Sequence, residues 1–518
     1  MIRRSAARVA IALVALAALV GRSAPAVAVE SVQPANPAHL ADSAANAPGL
    51  RECRVVGLEN AVRCGAVRRP LDPAHADRGA ITVAYVVVPA MARRKLPDPV
   101  FILAGGPGQS ATALAATVMP LLARLNNRRD IVFVDQRGTG RSAPLVCDEA
   151  GGEELAAQAD PDRQFQLLMR CKATLLKRLD LRSEADLGRF TTVLAVQDLD
   201  AVRRDLGAER VDLIGFSYGT RVALEMLRQF PTTVRRSVLD GVAPPDMALP
   251  ASFSVDNQAA FDALLAACRA EPACAKTHPK LRQHWLDLLA SLPREVRAPH
   301  PLTGRDESFT LTRAMVLSAV RGALYAPALA SALPVAIERA AAGRPEGLIG
   351  LAASFTSRKA AQLAIGMHFS VVCAEDLPRL AASPDRPSAD FADDFARNYE
   401  RMCAGWPRGD VPAAFYTLGP ATSPVLILSG AVDPATPPRH GERVAGLLGP
   451  MARHVVVPHA GHGTMAIGCL RDVVFRFIDA ADERAALAVD ASCVASIPRP
   501  PAFRPIEPAA GGLREPMR

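Results

Sequence analysis

Short apolar runs alternate with longer segments of helical spacing over most of this 518-residue chain. The β-branched or continuously apolar runs that predict strands lie at residues 81–88, 99–104, 130–134, 211–214, 234–239, 425–428 and 454–457. Segments between them, such as residues 161–206, have the apolar spacing that is typical of helices. This alternation predicts an α/β fold with a mostly parallel, doubly wound sheet.

One long segment breaks the alternation. Residues 249–417 are rich in alanine and leucine, are mostly helical in period and contain few runs typical of strands. We therefore predict a helical cap domain inserted into an α/β core, with the first part of the core at residues 51–248 and the second at residues 418–497.

The two ends of the chain differ in composition from the interior. Residues 1–28 combine a basic start, an apolar run and the motif Ala-Val-Ala, which is the pattern of a cleaved secretory signal peptide. An uncleaved anchor is the alternative, and no later run is long enough to span a bilayer. We expect a disordered lead-in at residues 29–50, a flexible tail at residues 498–518 and no stable membrane insertion after signal cleavage. The protein would then be exported, either to a periplasm or fully secreted.

The cysteine content favours the same kind of compartment. Ten cysteines, an even number, make disulfides the expected state of an exported chain, with metal binding the lesser alternative. No Cys-x-x-Cys motif or histidine-rich tract indicates zinc. Cysteines that are near in sequence are predicted to pair, although connectivity does not follow from sequence alone. The predicted pairs are Cys53–Cys64, Cys147–Cys171, Cys268–Cys274, Cys373–Cys403 and Cys469–Cys493.

The charge pattern argues against one class of partner. The formal net charge is +8, the basic residues are scattered, and aromatic residues make up only 5% of the chain. Nucleic-acid-binding surfaces cluster their basic residues, so no nucleic-acid partner is expected. The sequence leaves the oligomeric state open.

The segment Gly-Phe-Ser-Tyr-Gly at residues 215–219 follows a predicted strand and precedes a helical pattern. Strand, sharp turn and helix form the context of a nucleophile elbow, in which glycines permit the tight turn and the serine hydroxyl is exposed. Free N–H groups at the start of the helix favour negative charge beside that hydroxyl. Ser217 is therefore a candidate nucleophile, and the alternative for this short motif alone is a tight turn that contains serine.

Two further groups that a serine nucleophile needs come later in the chain. Asp433 follows the run at residues 425–428, and His462 lies between two glycines after the run at residues 454–457. A histidine must take the serine proton, and an acid must orient that histidine. The order Ser217, Asp433, His462 is the order of an α/β-hydrolase triad.

Other residues compete for these roles. His459 and His454 are close to His462, which we favour because its loop position leaves it free to reach inward. Asp410 competes with Asp433 but lacks a preceding strand. The alternative role for Asp433 is an Asx turn.

Two glycine-containing loops follow other predicted strands. Gly-Gly-Pro-Gly at residues 105–108 can direct a backbone N–H toward an oxyanion, although a plain turn fits these four residues as well. The loop Asp-Gln-Arg-Gly-Thr-Gly-Arg-Ser at residues 135–142 lacks the spacing of a phosphate-binding loop. Both loops would lie at the carboxyl edge of the sheet, where open α/β sheets bind ligands. No cofactor and no metal ion is expected.

Together these motifs resemble those of the secreted tripeptidyl aminopeptidases, which are relatives of the proline iminopeptidases within the α/β-hydrolases. The resemblance spans residues 53–493 and is least diagnostic in the helical insert. It rests on residues 105–108, 135–142, 215–220, 239–242 and 424–493. Ala104 stands where proline iminopeptidases usually have histidine, whereas tripeptidyl members vary there.

The resemblance implies a serine exopeptidase that removes residues from the free N-terminus of a peptide substrate. Ser217 would be the nucleophile, His462 the general base and acid, and Asp433 the orienting acid. The backbone N–H groups of Gly106 and Tyr218 would form the oxyanion hole by their positions in the motifs.

An exopeptidase of this kind must also recognise an ammonium group, for which carboxylates are the natural partners. Glu375 and Asp376 are the candidates, since they lie in the cap beside Cys373 and resemble the stretch of the family that faces the substrate amine. The alternative is a solvated acidic pair at a helix end.

Two other functional classes remain open. A secreted carboxylesterase or lipase can use the same triad, since the triad alone does not separate esters from amides. Against it, no long apolar lid is evident and the cap carries candidate ammonium partners. A non-catalytic binding protein on a hydrolase fold would not need all three groups. An epoxide hydrolase or dehalogenase would carry aspartate in place of Ser217.

Overall fold

The computed structural model describes residues 49–147, 154–356 and 363–504. Their strands are β1 (Arg51–Cys53), β2 (Val62–Pro70), β3 (Ala80–Val88), β4 (Val100–Leu103), β5 (Ile131–Val134), β6 (Val211–Phe216), β7 (Val234–Asp240), β8 (Arg294–Pro299), β9 (Asp306–Leu311), β10 (Val425–Gly430) and β11 (Ala452–Val457). Nine of these strands form one sheet, and β8 and β9 form a separate antiparallel hairpin.

The sheet has the order β1-β2-β3-β5-β4-β6-β7-β10-β11. From β5 to β11 all neighbours run parallel, whereas β1, β2 and β3 are antiparallel to their neighbours at one edge. The parallel part carries the carboxyl ends of β4, β6, β7, β10 and β11 to the same edge of the sheet. The predicted α/β class with a mostly parallel sheet is confirmed, while β1 and β2 were not predicted.

Helices cover both faces of the sheet and form the insert. They are α1 (Ala111–Asn126), α2 (Leu155–Ala159), α3 (Pro161–Arg178), α4 (Thr192–Asp205), α5 (Tyr218–Gln229), α6 (Leu249–Ala270), α7 (Pro272–Thr277), α8 (Leu281–Ala290), α9 (Arg313–Leu324), α10 (Pro327–Ala330), α11 (Leu333–Ala341), α12 (Glu346–Thr356), α13 (Ile365–Val371), α14 (Asp394–Ala404), α15 (Pro438–Leu448), α16 (Leu470–Asp479) and α17 (Glu483–Leu487). Helices α1 and α16 cover one face, and α4, α5 and α15 cover the other.

The central strand β4 shows why the sheet is buried on both faces. Val100 and Ile102 belong to the apolar cluster under α1 and α16, while Phe101 and Leu103 belong to the opposite cluster. Because successive side chains of a strand point to opposite faces, a strand covered on both sides must be apolar at every position. The four side chains are all fully buried.

The predicted cap, residues 249–417, lies between β7 and β10 and supplies most of a third apolar cluster. Phe261 and Trp285 pack with ring centroids 4.7 Å apart, and Phe391 packs against both. The cap is also continuous with the core, since Met367 and Trp406 belong to the cluster that covers the sheet. Within the described part of the insert, the strands are β8 and β9, which form the hairpin at residues 294–311.

The predicted ends of the chain lie mostly outside the described residues. Residues 1–28, predicted as a signal peptide, most of the predicted lead-in at 29–50 and residues 505–518 of the predicted tail lie outside the described residues. Residues 498–504 of the tail contain no helix or strand. Among the described residues, no helix combines the length and the hydropathy that crossing a lipid bilayer requires.

All ten cysteines lie within the described ranges, and each forms a disulfide with a neighbour in sequence. The pairs are Cys53–Cys64, Cys147–Cys171, Cys268–Cys274, Cys373–Cys403 and Cys469–Cys493. Disulfides of this number persist in oxidising compartments.

Candidate active site

Ser217 stands at the turn between β6 and α5 with φ +53° and ψ −121°. A non-glycine residue with positive φ is uncommon, and such strain is a feature of nucleophile elbows. The flanking glycines permit it: a Cβ on Gly215 would lie 2.5 Å from the Gly219 oxygen, and one on Gly219 would lie 2.1 Å from the Leu103 oxygen. The strands and the helix therefore pack backbone to backbone around the serine.

Asp433 lies in the turn after β10 and is almost fully buried. Its Oδ1 accepts hydrogen bonds from the N–H groups of Ala435 (2.7 Å) and Thr436 (3.0 Å), which is an Asx-type arrangement. Its Oδ2 accepts from the Thr436 hydroxyl (2.9 Å) and lies 2.8 Å from His462 Nδ1. The Asx turn and the contact with histidine therefore occur together, because the two carboxylate oxygens serve different partners.

His462 follows β11 in a loop that the cap helps to hold. Its backbone N–H donates to the carbonyl oxygen of Tyr325 (2.9 Å), and the two rings pack edge to face at 4.8 Å. The side chain is 14% exposed. A neutral imidazole with Nδ1–H pointing at Asp433 leaves Nε2 as the proton acceptor.

The competing residues lie elsewhere. His459 is exposed, and His454 Nε2 lies 3.0 Å from the Ser429 hydroxyl on the sheet. The Asp410 side chain is 97% exposed and faces Arg189. Of the residues weighed from the sequence, Asp433 and His462 are the pair that the structure brings together.

The pair shifts the pKa of each member. Burial raises the pKa of Asp433, but the opposite charge and hydrogen bond of His462 and the backbone N–H groups outweigh it, so that the pKa lies below its ordinary value. Burial lowers the pKa of His462, but Asp433, with a contribution from Asp240, raises it above 6.5. Asp433 is therefore ionised at neutral pH, and its charge stabilises protonated His462.

Ser217 and His462 both lie next to the end of β7. The Ser217 N–H donates to the Asp240 carbonyl oxygen (2.9 Å), and a Cβ on Gly241 would lie 3.3 Å from His462 Cε1. Within the described residues the Ser217 hydroxyl makes no hydrogen bond with the ring, and such bonds are often loose until substrate binds.

Of the two predicted oxyanion donors, Tyr218 follows Ser217 directly, and Gly106 follows a glycine that approaches Ser217. Tyr218 is the first residue of α5, so its N–H precedes the first hydrogen bond of the helix. Gly106 has φ +110° in the glycine-rich loop after β4, and a Cβ on its neighbour Gly105 would lie 3.1 Å from Ser217 Cβ. The two amides thus belong to segments that adjoin the nucleophile from different strands.

The carboxylate of Asp240 is a site residue that sequence reasoning missed. It is buried and accepts hydrogen bonds from the N–H groups of Thr464 and Met465 and from the Thr464 hydroxyl, all within 2.9 Å. These donors lie just beyond His462, so Asp240 fixes the loop that carries the histidine. Its position at the end of a predicted strand, beside Gly241, was the available signal.

Glu375 and Asp376 lie in a short π-helical turn (Val372–Asp376) and are fully buried, so the alternative of a solvated pair is wrong. Arg221 of α5 binds Asp376 through both Nη atoms, at 3.0 and 2.9 Å, and reaches Glu375 at 3.4 Å. Burial raises the pKa of Glu375 to about 7, against the opposing effects of Arg221 and Thr192. Two carboxylates therefore share one guanidinium close to the elbow helix.

This acidic cluster connects directly to Tyr218. Glu375 accepts hydrogen bonds from the N–H (2.7 Å) and hydroxyl (2.9 Å) of Thr192, and the Tyr218 hydroxyl lies 2.7 Å from that same hydroxyl. Because Thr192 gives its proton to Glu375, the Tyr218 hydroxyl donates to Thr192. The acidic cluster thus braces the residue whose N–H is the candidate oxyanion donor.

A row of cap side chains joins the glycine-rich loop to His462. We call it the cap wall, and its members are Phe253, Arg321, Tyr325, His368 and Tyr399. His368 Nδ1 donates to the Pro107 oxygen (3.2 Å), its Nε2 accepts from the Tyr399 hydroxyl (2.9 Å), and burial lowers its pKa to about 4. The Tyr399 ring contacts the Phe253 ring, and the Arg321 guanidinium lies over both Phe253 and Tyr325. The Tyr325 ring in turn packs against His462.

The described residues contain no group of three or more histidine, cysteine, aspartate or glutamate side chains placed to hold a metal ion. The chemistry available at this edge of the sheet is that of a serine, a histidine and a carboxylate, with backbone amides beside the serine.

Residues 98–466 match the family model of the alpha/beta hydrolase fold. The match covers more than half of the chain, so the chain belongs to the α/β-hydrolase family, and the protein is an enzyme of the hydrolase class.

Three relatives narrow the comparison. The chain is 25% identical to serine protease Hip1 of Mycobacterium tuberculosis over 424 residues, which cover 76% of this chain and 80% of that protein. It is 26% identical to the tripeptidyl aminopeptidase of Streptomyces lividans over 410 residues, 73% of this chain and 74% of that protein. It is 27% identical to carboxylesterase B of M. tuberculosis over 434 residues, 75% of this chain and 78% of that protein. The resemblance to tripeptidyl aminopeptidases that the motifs indicate is confirmed by this sequence similarity.

Proposed function

We propose that this protein is an exported serine exopeptidase that hydrolyses peptide bonds near a free N-terminus, as tripeptidyl or prolyl aminopeptidases do. The observation that carries the proposal is the contact of His462 Nδ1 with Asp433 Oδ2 beside the Ser217 elbow. The relatives named as a serine protease and a tripeptidyl aminopeptidase support a peptide substrate.

In the proposed reaction the Ser217 hydroxyl oxygen attacks the carbonyl carbon of the scissile bond while its proton passes to His462 Nε2. Asp433 accepts the Nδ1–H bond and stabilises the imidazolium that forms. The tetrahedral intermediate then collapses, the C–N bond breaks, and His462 returns the proton to the leaving amine. Water, activated by the same histidine, hydrolyses the acyl-enzyme.

The N–H groups of Gly106 and Tyr218 would donate to the oxyanion of that intermediate. A preorganised donor of this kind contributes about 3–4 kcal/mol to transition-state stabilisation. The start of α5 adds the positive end of a helix dipole at the same place. The brace from Thr192 to Tyr218 would keep the second donor in position.

Glu375 and Asp376 are proposed to supply the negative charge that attracts the substrate ammonium. They carry two carboxylates against the single guanidinium of Arg221, so the ionised cluster has an excess negative charge. A substrate amine is a cation that this excess favours. The link through Thr192 to Tyr218 connects the cluster to the elbow.

A secreted carboxylesterase is the second candidate, and the likeness to carboxylesterase B supports it. Export is supported by the five disulfides and by the signal-like residues 1–28.

A substrate panel on the purified mature protein separates these functions. It contains single-residue, prolyl and tripeptidyl chromogenic amides, each with a free and a blocked N-terminus, and short-chain nitrophenyl esters. We expect the free-amine amides to be cleaved, the blocked ones to be resistant, and Ser217→Ala to lose at least about 10³-fold in kcat while unfolding at the same temperature as the wild type.

Turnover of esters alone, indifferent to an N-terminal amine, would move the protein to the esterases. Normal amide turnover by Ser217→Ala would exclude Ser217 as the nucleophile. Glu375→Gln tests amine recognition: it should raise KM for free-amine substrates more than for esters.

A further inference from the structure

Arg321 of α9 is the cationic member of the cap wall, and the proposed chemistry gives it no role. Its guanidinium carbon lies 3.9 Å from the centroid of the Phe253 ring, 5.2 Å from that of Tyr325 and 5.6 Å from that of Phe395. Stacking on several aromatic rings fixes the plane of a guanidinium and replaces part of its hydration. The N–H groups of Arg321 therefore have a fixed orientation before any ligand binds.

The charge of Arg321 has no counterion among the described residues. Nη2 donates to the Tyr325 hydroxyl (2.6 Å), which is neutral. Nε is buried without a hydrogen-bond partner, and Nη1 makes no hydrogen bond within the described part of the chain. A half-buried guanidinium that keeps unused donors and lacks a carboxylate is suited to an anionic ligand.

The position of Arg321 is close to the reacting groups. Tyr325, which it contacts, packs against the His462 ring and accepts the His462 N–H. At the other end of the cap wall, His368 binds Pro107 in the loop that carries the oxyanion donor Gly106. The cap wall therefore connects the loop that contains Gly106 to His462, and Arg321 lies within it.

We propose that Arg321 binds a carboxylate of the substrate and makes this enzyme selective for acidic peptides or for short peptides with a free C-terminus. The inference rests on the proposed function and adds a substrate class to it. The substrate would lie between two opposite charges: its ammonium toward the Glu375–Asp376 cluster and its carboxylate toward Arg321. Glu or Asp side chains and the C-terminal carboxylate present the same chemistry, so the test must separate them.

The test compares kcat/KM for matched alanine-based peptides with a free amine. One arm exchanges Glu for Gln at each position around the scissile bond, and the other arm exchanges a C-terminal acid for its amide. In at least one of the two comparisons, we expect the wild-type kcat/KM to be about tenfold higher for the peptide that carries the carboxylate than for its neutral counterpart. Arg321→Met should abolish this preference by slowing the carboxylate member, and Arg321→Lys should keep part of it.

The matched control is Arg124→Met. Arg124 also stacks on a ring at 3.9 Å, that of Phe475, but it lies on the core helix α1 and pairs with Asp472. It should keep the wild-type preference. An absence of preference in both arms, or an equal loss of activity on acidic and neutral peptides in Arg321→Met, would overturn the proposal.

Failure of the proposed function can be told apart from failure of this inference. If the wild type cleaves no peptide, the exopeptidase assignment fails, and Arg321 is tested with 4-nitrophenyl hemisuccinate against 4-nitrophenyl butyrate. A readout without turnover is calorimetric titration of Ser217→Ala, with and without Arg321→Met, using the acid and amide peptides. Tighter binding of the acid that depends on Arg321 supports the inference, and equal binding of the two peptides contradicts it.

Discussion

At the scale of single residues, the surroundings of Asp433 and His462 determine where their protons reside. Asp433 is buried, yet hydrogen bonds and the nearby imidazole keep its pKa below its ordinary value. His462 is held above 6.5 by that carboxylate, against the effect of burial. A general base must be neutral to accept a proton, so this arrangement gives a pH dependence of known sign.

We predict that kcat/KM falls as the pH decreases through the raised pKa of His462, with the midpoint of this acid limb above 6.5. In Asp433→Asn the main cause of the raised pKa is absent and burial remains, so the midpoint should move below 6.5. The rate should also fall by about 10⁴-fold, because the amide no longer selects the required tautomer.

The measurement is a pH–rate profile of the wild type and Asp433→Asn, with Asp410→Asn as a control at an exposed carboxylate. An identical acid limb in Asp433→Asn would show that another group controls the titration.

At the scale of elements, the elbow depends on close approach of β4, β6 and α5. The two glycines of the motif are needed for packing as well as for the turn, since a Cβ at either would collide with backbone atoms. Backbone atoms in the middle of a sheet cannot move aside without disturbing the strand.

Gly219→Ala should therefore destabilise the protein by about 3 kcal/mol or more, since its Cβ would lie 2.1 Å from the Leu103 oxygen. Gly446→Ala in α15 is the matched control, because nothing lies within 4 Å of its Cβ position. It should stabilise by about 0.5–1 kcal/mol through helix propensity. Thermal and urea unfolding measure both, and equal stability of the two variants would refute the packing argument.

At the scale of the whole molecule, polar contacts around the buried carboxylate of Asp256 join the cap to the core. Asp256 of α6 accepts from Arg439 Nε (2.6 Å) and lies 2.9 Å from His440 Nε2, both on α15. Arg439 also binds Asp385 of the cap through both Nη atoms. These contacts hold the helix that follows Asp433 against the cap that carries Tyr325 and Arg321.

We expect Asp256→Ala to cost about 3 kcal/mol, because it leaves the buried His440 and part of Arg439 without a partner. The cap should also become more sensitive to proteolysis. Asp306→Ala, which removes the exposed Arg297–Asp306 pair of the hairpin, should change stability little. Unfolding curves and timed proteolysis test this, and a wild-type pattern for Asp256→Ala would exclude the junction as a source of stability.

The sequence by itself determined the features that depend on local pattern and chain order. Apolar runs that alternate with helical segments predict the parallel sheet, and the glycines around Ser217 predict the elbow. Each prediction uses only residues that are near one another in sequence. Ser217, Asp433 and His462 each follow a predicted strand, and their order along the chain is that of an α/β-hydrolase triad. Strands β1 and β2 and the cap hairpin were missed, since their short or mixed patterns depend on pairing with distant segments.

Only the tertiary structure decided which distant groups meet. It brought His462 rather than His459 to Asp433, and it placed Arg221 between Glu375 and Asp376. Among the residues that the structure describes, it also left Arg321 without a carboxylate partner and beside aromatic rings, which no local pattern around residue 321 indicates. The physical reason is that burial and charge pairing depend on which side chains are neighbours in space. Those neighbours can come from residues hundreds of positions apart in the sequence.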